Sequence, residues 1–427
     1  MQILAWPVYR IALSMAAKGL NHTVEHLFRK EYGKLVALLT NRFGASHLEQ
    51  IEDVTQDTFL KAMKLWGYQE VPDNPTAWLY RVASNGLLDK FRKEGRMDLV
   101  SDDFQFPEKG ENTLNEISLE NIQDSQLRMI FACCHPNLSQ EHQIILSLKL
   151  MGGFSNKELA DALLKKEEAV AKSFTRAKKS FREKVKMIQI PVQMGLQTRL
   201  FQVLKVIYLL FSEGYSATTG TQFIKRDICH EAMRLALLLR ENKYCKHPNL
   251  EALLALMCFH ASRFDARINV EGQLVSLEHH DRNQYNQELI QIGTFHLERA
   301  GDDDMMPSQY HLEAARSFYH STAKRFEETD WKNILQLYDF QLKQQFSPMI
   351  ALNQIVPFEK VHGAEKALKA LNELSEKTDF EDSGLFYAIK ADLLKTLQKK
   401  SYESTLEKAI ALTENELVKQ YLRTKLD

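Results

Sequence analysis

The sequence is poor in the two residues that most often interrupt helices. It has 17 Gly and 10 Pro in 427 residues, and alternating strand patterns are absent. Long stretches rich in Leu, Ala, Glu and Lys, which favour helices, fill the space between these breaks. The composition therefore predicts an all-α globular protein, and the length predicts two or three domains.

Cysteines and long hydrophobic runs are also scarce. The five cysteines, Cys133, Cys134, Cys229, Cys245 and Cys258, form no C-x-x-C pair and no even-numbered framework. We therefore expect buried free thiols and a reducing cytoplasm. Trp6-Pro7, Arg10 and Lys18 interrupt the apolar start of the chain, so we expect neither a signal peptide nor a membrane span. Residues 1–21 are interpreted as an N-terminal extension.

The formal net charge is only −1, yet positive charge is concentrated in one segment. Nine Lys and Arg stand against three Glu between Lys165 and Lys186. Apolar residues recur there at helical spacing, at Val170, Phe174, Ala177, Phe181 and Val185. The pattern predicts an amphipathic helix whose cations contact nucleic-acid phosphates. A solvated basic face on an ordinary bundle helix is the alternative.

The residues before this basic helix predict a helix-turn-helix. Ser155-Asn-Lys-Glu158 is a capping box that opens a short helix ending at Leu163, and a tight turn at Leu164–Lys166 follows. Ser139 is expected to cap a preceding helix that runs through Met151. Residues 125–190 therefore form one predicted DNA-binding module, although Leu164 stands near the place of the usual turn glycine.

Residues 22–96 form an earlier predicted helical module. Helical spacing predicts a helix over residues 23–43 and another over His47–Trp66, and Asn74 with Pro75 is expected to open a third. The second helix has an apolar side and an opposite side that carries Asp53, Gln56, Asp57 and Leu60. An exposed leucine inside an acidic rim suggests a protein-binding face. A normal solvated surface is the alternative.

The third helix of this module carries a mixed polar stripe. Arg81, Asn85, Asp89 and Arg92 share one side, and Lys93 adds positive charge near the end. Asn and Arg together can hydrogen-bond base edges and hold phosphates, so the stripe suits nucleic acid. A solvated charged face remains the alternative.

Two stretches resemble bacterial sigma factors of the extracytoplasmic-function type, in the sigma-70 family. Ile51–Lys61 (IEDVTQDTFLK), Asn74–Asn85 (NPTAWLYRVASN) and Asp89–Arg92 (DKFR) resemble the family's region 2. The helix-turn-helix at Leu138–Arg182 is similar to region 4. The resemblance implies core RNA polymerase (its β′ clamp and β subunits) and promoter DNA as partners, and no membrane.

The resemblance also implies roles for particular residues. Those expected to bind core polymerase are Asp53, Gln56, Asp57 and Leu60. Those expected to contact the melted −10 strand are Arg81, Asn85, Arg92 and Lys93, with the loop before Asn74. Those expected to contact the −35 duplex are Glu168, Ala171, Lys172, Thr175, Arg176 and Lys179.

The segment between the modules, residues 97–124, is interpreted as a flexible acidic linker. Asp98–Asp124 contains eight Asp and Glu and one Lys. Self-repulsion would keep the two modules apart. In the family this linker threads toward the polymerase's RNA channel, where an acidic chain would imitate nucleic acid; both readings stay open.

Residues 191–427 continue beyond the usual end of the family as successive amphipathic helices. Trp331, Ile334 and Tyr338 keep part of a tetratricopeptide pattern, and Glu365–Leu368 resembles Glu407–Ile410. Further segments resemble the sigma-factor subgroup with a fused tetratricopeptide-like C-terminal domain: Phe211–Tyr215, Ala252–Leu256, Ala266-Arg267, Glu278 with Asp281-Arg282, and Ala351–Asn353. The sequence leaves open an intramolecular contact of this domain with the sigma modules.

Polar clusters in this half admit two interpretations. Glu213, Arg267, Glu278, Asp281 and Arg282 either line a ligand groove or, as we favour, form a buried ion network. Neither Cys133-Cys134-His135 nor His279-His280-Asp281 is expected to bind a metal, and no cofactor is expected. We find no nucleophile–base pair or phosphate loop, so an enzyme is not expected.

The sequence therefore predicts a sigma factor that binds core RNA polymerase, directs transcription initiation and carries a fused regulatory domain. The alternative is a stand-alone helix-turn-helix regulator with a helical-repeat scaffold for protein partners.

Overall fold

The computed structural model describes residues 20–66, 72–93, 119–163, 165–185, 188–190, 194–215, 225–301 and 305–426. These residues are helical apart from turns and loops, and one isolated antiparallel bridge joins Ile268 to Leu274. The chain divides into two compact units, of which the first ends at Leu209 and the second begins at Leu210. The all-α prediction is confirmed. None of the helices in these ranges is both long and apolar enough to cross a bilayer.

The first unit contains both predicted modules. Its helices are α1 (Leu20–Phe43), α2 (Leu48–Trp66), α3 (Pro75–Lys93), α4 (Leu119–Cys133), α5 (Gln140–Leu146), α6 (Asn156–Leu163) and α7 (Glu167–Lys184). A π-helical turn over Ser147–Met151 continues α5, and α8 (Met194–Tyr215) contains the boundary between the units. The predicted linker falls largely on residues 94–118, which lie outside the described residues.

The first helix packs against both modules. α1 contacts α2 and α3 on one side, and α4 and the π-helical turn on another. Leu35, Val36 and Leu39 are fully or almost fully buried in this core. At Gly33, an added Cβ would lie 2.1 Å from the carbonyl oxygen of Met151. In the described residues the two predicted modules therefore touch through α1. The role of the acidic linker stays a prediction, because most of that segment lies outside the described residues.

Ion pairs also connect the two modules, and the contact between α2 and α7 that they form is called the junction below. Lys178 on α7 donates to Glu52 on α2 at 2.8 Å, and Arg182 lies 3.3 Å from Glu49. Glu52 is only 7% exposed. Burial raises the pKa of Glu52, and the neighbouring ammonium of Lys178 acts in the opposite direction. Together, the pairs join α2 and α7.

The second unit is built around one helix, Pro248–Ala261, most of whose residues are buried. Its helices are α9 (Arg226–Glu241), α10 (Pro248–Ala261), α11 (Gln287–Ala300), α12 (Gln309–Thr322), α13 (Trp331–Gln344), α14 (Pro348–His362), α15 (Ala364–Lys377), α16 (Gly384–Thr396), α17 (Tyr402–Leu412) and α18 (Glu416–Arg423). α10 is surrounded by α9, α11 and α12. Each helix from α13 onward packs on the next in the chain.

One carboxylate on α10 is enclosed by two arginines and a histidine. Glu251 accepts from His296 Nδ1 at 2.5 Å and from Arg240 Nε at 3.1 Å, and Arg299 Nε lies 3.6 Å away. Burial alone would raise the pKa of Glu251, but the hydrogen bonds and charges of His296 and Arg240 hold it below its ordinary value. This buried network connects α9, α10 and α11.

Candidate functional site

The predicted polymerase-binding residues share the outward side of α2. Asp53, Gln56, Asp57 and Leu60 are all exposed. Leu60 is 56% exposed, and so is Met63, which lies one helical turn further on. Sequence reasoning missed Met63, although its i+3 spacing from Leu60 was a signal. The face is an apolar pair bordered by carboxylates and an amide.

The two sides of α2 differ in how their carboxylates are held. Asp53 accepts from Lys90 Nζ at 3.1 Å in an exposed contact. Its neighbour Glu52 faces inward and is buried against Lys178. Exposed ion pairs are weak because water screens them, so Asp53 can exchange its partner at little cost. Glu52 is instead part of the junction.

The predicted −10 residues lie on an exposed stripe of α3. The Asn74 side chain caps this helix by accepting from Ala77 N at 3.1 Å, as predicted. Arg81, Asn85, Arg92 and Lys93 are exposed, and the first three recur at spacings of four and seven. Arg92 pairs with Asp89 at 3.0 Å. The opposite side packs into the core through Leu79, Leu87 and Phe91. The loop at residues 67–71 lies outside the described residues.

The predicted helix-turn-helix is formed as expected around its caps. Ser155 N donates to Glu158 Oε2 at 2.7 Å and Glu158 N donates to Ser155 Oγ at 3.1 Å, which is the capping box. Ser139 Oγ accepts from His142 N at 3.3 Å and caps α5. Leu164 lies outside the described residues.

A carboxylate not foreseen from the sequence braces the start of the basic helix. Glu141 on α5 accepts from Lys165 Nζ at 2.7 Å and from Ser173 Oγ at 2.6 Å. The Lys165 ammonium, with help from Ser173, lowers the pKa of Glu141. Because Ser173 is buried on α7, this contact fixes the basic helix against α5.

The basic helix divides its cations between two sides. Glu168, Lys172, Thr175, Arg176 and Lys179 are exposed on one side, and Ala171 is half-buried among them. The Thr175 hydroxyl donates to the Ala171 carbonyl at 3.0 Å. On the other side, Lys178 and Arg182 pair with Glu52 and Glu49. The outward cations remain available to an external polyanion, whereas the inward ones belong to the junction.

The second unit corrects the predicted ion network. Arg282 Nη1 donates to the carbonyl oxygens of His320 and Ala323 at 2.6 and 2.8 Å, and the Asp281 carboxylate accepts from Asn283 and Gln284. Asp281 is exposed and accepts from its sequence neighbours, whereas Arg282 donates to backbone carbonyls at the end of α12, so these two residues do not form a buried ion pair with each other. The bracing network is the one around Glu251 instead.

The adjacent residues Cys133, Cys134 and His135 lie in different surroundings. Cys133 and Cys134 are buried free thiols, and burial raises the pKa of each. His135 Nδ1 instead accepts from Asn137 N at 3.2 Å. Within the described residues, no group of three or more His, Cys, Asp and Glu is placed to hold a metal ion.

Two family models match separate parts of the chain. Residues 27–97 match the model of sigma-70 region 2, and residues 199–301 match a family of unknown function, DUF6596. "RNA polymerase sigma factor YlaC" of Bacillus subtilis is 25% identical over 150 residues, covering 33% of this chain and 79% of that protein. No solved structure matches significantly.

A full-length relative joins the two parts. "Uncharacterized protein R00370" of Rhizobium meliloti is 32% identical over 390 residues, which cover 89% of this chain and 90% of the relative. The likeness thus extends through the basic helix and into the second unit. The chain belongs to the same family as R00370, and its sigma-70 region 2 domain, with the weaker likeness to YlaC, supports a sigma-70 family sigma factor.

Proposed function

We propose that the chain binds core RNA polymerase through the outward side of α2. The observation that carries this proposal is the exposed pair Leu60 and Met63 beside Asp53, Gln56 and Asp57. Exposed apolar side chains gain from burial in an interface, and surrounding carboxylates favour a basic partner surface. In this proposal the partner is the β′ clamp, with the β subunit as a second contact.

We further propose that α3 and α7 read the two promoter elements. Arg81, Asn85, Arg92 and Lys93 combine amide and cationic groups on one exposed stripe, which suits a melted −10 strand. The outward side of α7 offers Lys172, Arg176 and Lys179 to the −35 duplex, with Glu168, Ala171 and Thr175 beside them.

The second unit is proposed to be a fused regulatory domain of tetratricopeptide-like type. The successive packing of α13 to α18, each on the next, supports a repeat-like array. Tethering to the sigma modules would make its effect intramolecular and independent of a separate anti-sigma protein. The proposal includes a reducing, cytoplasmic setting, as the buried free thiols favour.

The test is binding to purified core polymerase. Asp53→Lys with Leu60→Glu should weaken binding at least about a hundredfold, because it reverses a charge and places a carboxylate where an apolar contact forms. Val270→Glu with Glu271→Lys makes matched changes at exposed positions of the second unit and should bind normally.

Factor-dependent run-off transcription separates this function from that of a stand-alone DNA-binding regulator. The wild-type protein should direct initiation by core polymerase, and the α2 double variant should not. Undiminished polymerase binding by the α2 variant would remove that face from the proposal, and DNA binding with no polymerase binding would favour the regulator.

A further inference from the structure

A cavity of about 420 Å³ lies in the second unit, near the end of α10. Its lining includes Arg263 and Arg267 from the segment after α10, Arg316 from α12, and the rings of Tyr215 and Tyr338. The volume is in the range of small-molecule sites. These five residues come from four separate parts of the chain, so no single local motif predicts the cavity.

The three arginines of the cavity are buried. Arg263 is 5% exposed, and Arg267 and Arg316 are each 9% exposed. The guanidinium of Arg267 lies 3.8 Å from the ring centroid of Tyr215, and that of Arg316 lies 4.2 Å from that of Tyr338. Stacking occupies the face of a guanidinium and leaves the edge, which carries the N–H groups, for hydrogen bonds.

The hydrogen bonds of Arg263 and Arg316 go to neutral groups, and Arg267 Nη1 donates to the carbonyl oxygen of Tyr215 at 2.7 Å. Arg263 contacts the Phe259 carbonyl oxygen and His260 Nδ1, at 3.3 and 2.8 Å, and Arg316 Nη1 donates to Gln341 Oε1 at 2.7 Å. Neutral acceptors satisfy N–H groups but do not neutralise charge. Among the lining residues, Glu313 is the single carboxylate beside three guanidiniums. The cavity therefore has an excess of buried positive charge.

Histidines around the cavity respond to that charge. Burial, and then the neighbouring arginines, lower the pKa of His320 to about 3 and that of His280 to about 4. The pKa of His260 is lowered well below its ordinary value for the same reasons. These rings are therefore neutral near pH 7. Nδ1 of His320 and Nη2 of nearby Arg282 are buried and have no hydrogen-bond partner in the described part of the chain.

A second arginine site in the same unit, built on the buried carboxylate of Glu251, shows what the cavity lacks. Arg240, on α9, is paired with the buried carboxylate of Glu251 at 3.1 Å. There the protein supplies the anion itself. In the cavity, the described contacts of Arg263 and Arg316 supply none. The difference indicates that the missing anion comes from outside.

We propose that this cavity binds a small organic anion whose carboxylate or phosphate is held by the edges of Arg263, Arg267 and Arg316. The lining residues Leu274, Val275 and Leu277 provide an apolar surface for the body of the ligand. The sigma-factor function above is not needed for this binding, which is measured on the full-length protein without polymerase.

Trp331 provides a built-in reporter, because its ring centroid lies 5.3 Å from that of His320. Full-length protein is titrated with phenyl phosphate, benzoate and neutral benzyl alcohol at constant ionic strength. We expect a saturable change in Trp331 fluorescence with at least one anion, none with benzyl alcohol, and none in Trp331→Phe. The anion that binds with the higher affinity shows whether the site recognises a phosphate or a carboxylate. No saturable response to either anion, or an equal response to benzyl alcohol, would overturn the proposal.

Arginine variants locate the binding. Arg316→Gln and Arg263→Gln should each weaken the responding anion at least about tenfold, because a charged hydrogen bond is lost. Arg325→Gln changes the net charge equally at a side chain that is 79% exposed and should bind normally. Unchanged affinity in both cavity variants would contradict the site. If circular dichroism shows that both are unfolded, sulfate should compete with the anion in the wild-type protein, and failure to compete would count against the arginine site.

Discussion

The basic helix of the first unit and the cavity of the second use the same charged groups in opposite settings. Lys172, Arg176 and Lys179 on α7 are exposed to water. The arginines of the cavity are at least nine-tenths buried, beside tyrosine rings and neutral acceptors. Exposed charged side chains keep their hydration and can change position, whereas buried charged groups lose hydration at a cost in free energy and have fixed orientations.

This difference indicates which kind of anion each region suits. A row of exposed cations binds a polyanion favourably because binding releases counterions, and each phosphate contact adds a similar small amount to the binding free energy. Fixed guanidiniums in a cavity instead favour one small anion of matching shape. Net charge would not separate the two regions, because what distinguishes them is the hydration of each group.

The comparison can be tested first at Arg240, the arginine of the second unit whose partner is an internal carboxylate. Glu251→Gln should lower the free energy of unfolding by roughly 3 kcal/mol or more, because Arg240 and its neighbours lose their buried carboxylate. Urea unfolding measures the loss. Glu298→Gln, an exposed change on α11, should cost little. Equal losses in the two variants would show that Glu251 does not carry the network.

The second prediction concerns how the stability of the protein depends on pH through His320, beside the cavity. The folded pKa of His320 is about 3, below its ordinary value of 6.5, so the unfolded chain takes up a proton that the folded chain refuses as the pH falls below 6.5. The stability from this histidine is complete above 6.5 and is lost on acidification toward the folded pKa.

His320→Gln should therefore lose about 1 to 2 kcal/mol less stability than the wild-type protein between pH 6.5 and 5. Urea midpoints at the two values provide the measurement. His279→Gln, at an exposed position, is the control. A pH response in His320→Gln identical to that of the wild-type protein would contradict the buried, neutral ring.

The smallest expected effects are those on the exposed helix. Lys172→Ala and Arg176→Ala should each reduce the log–log salt slope of promoter binding by about 0.9, because each removes one phosphate contact. Binding is measured between 50 and 200 mM salt. Lys399→Ala removes one charge, as each α7 variant does, from an exposed position of the second unit and should leave the slope unchanged. An unaltered slope in the α7 variants would separate this face from DNA.

Much of the local structure was predictable from the sequence because its causes are local. The cap at Asn74 and the box of Ser155 with Glu158 each satisfy backbone groups within one helical turn, and both appear as expected. The outward positions of Asp53 and Leu60 followed from helical periodicity alone. The roles of these outward residues remain predictions.

The long-range ion pairs were not predictable because the partners are distant in sequence. Glu52 and Lys178 are 126 residues apart, and nothing local in either segment identifies the other as its partner. Glu251 did leave a signal: it is the one acidic residue in Pro248–Ala261, a helix that is otherwise mostly apolar, so it needed a partner. For the cavity, the sequence offered only Arg267, as one of several candidate groove residues. Arg263 and Arg316 could not be grouped with it, because they meet only after α10 and α12 have packed.

The position of α1 between the two modules has a consequence for how the first unit unfolds. Because the same helix completes both cores, neither module can lose it and keep its own apolar surface covered. We expect the two modules to unfold in one cooperative transition, and amide protons of α3 and α5 to share a common exchange free energy. Gly33→Ala, which forces a methyl group toward the Met151 carbonyl oxygen, should lower that shared protection in both modules together.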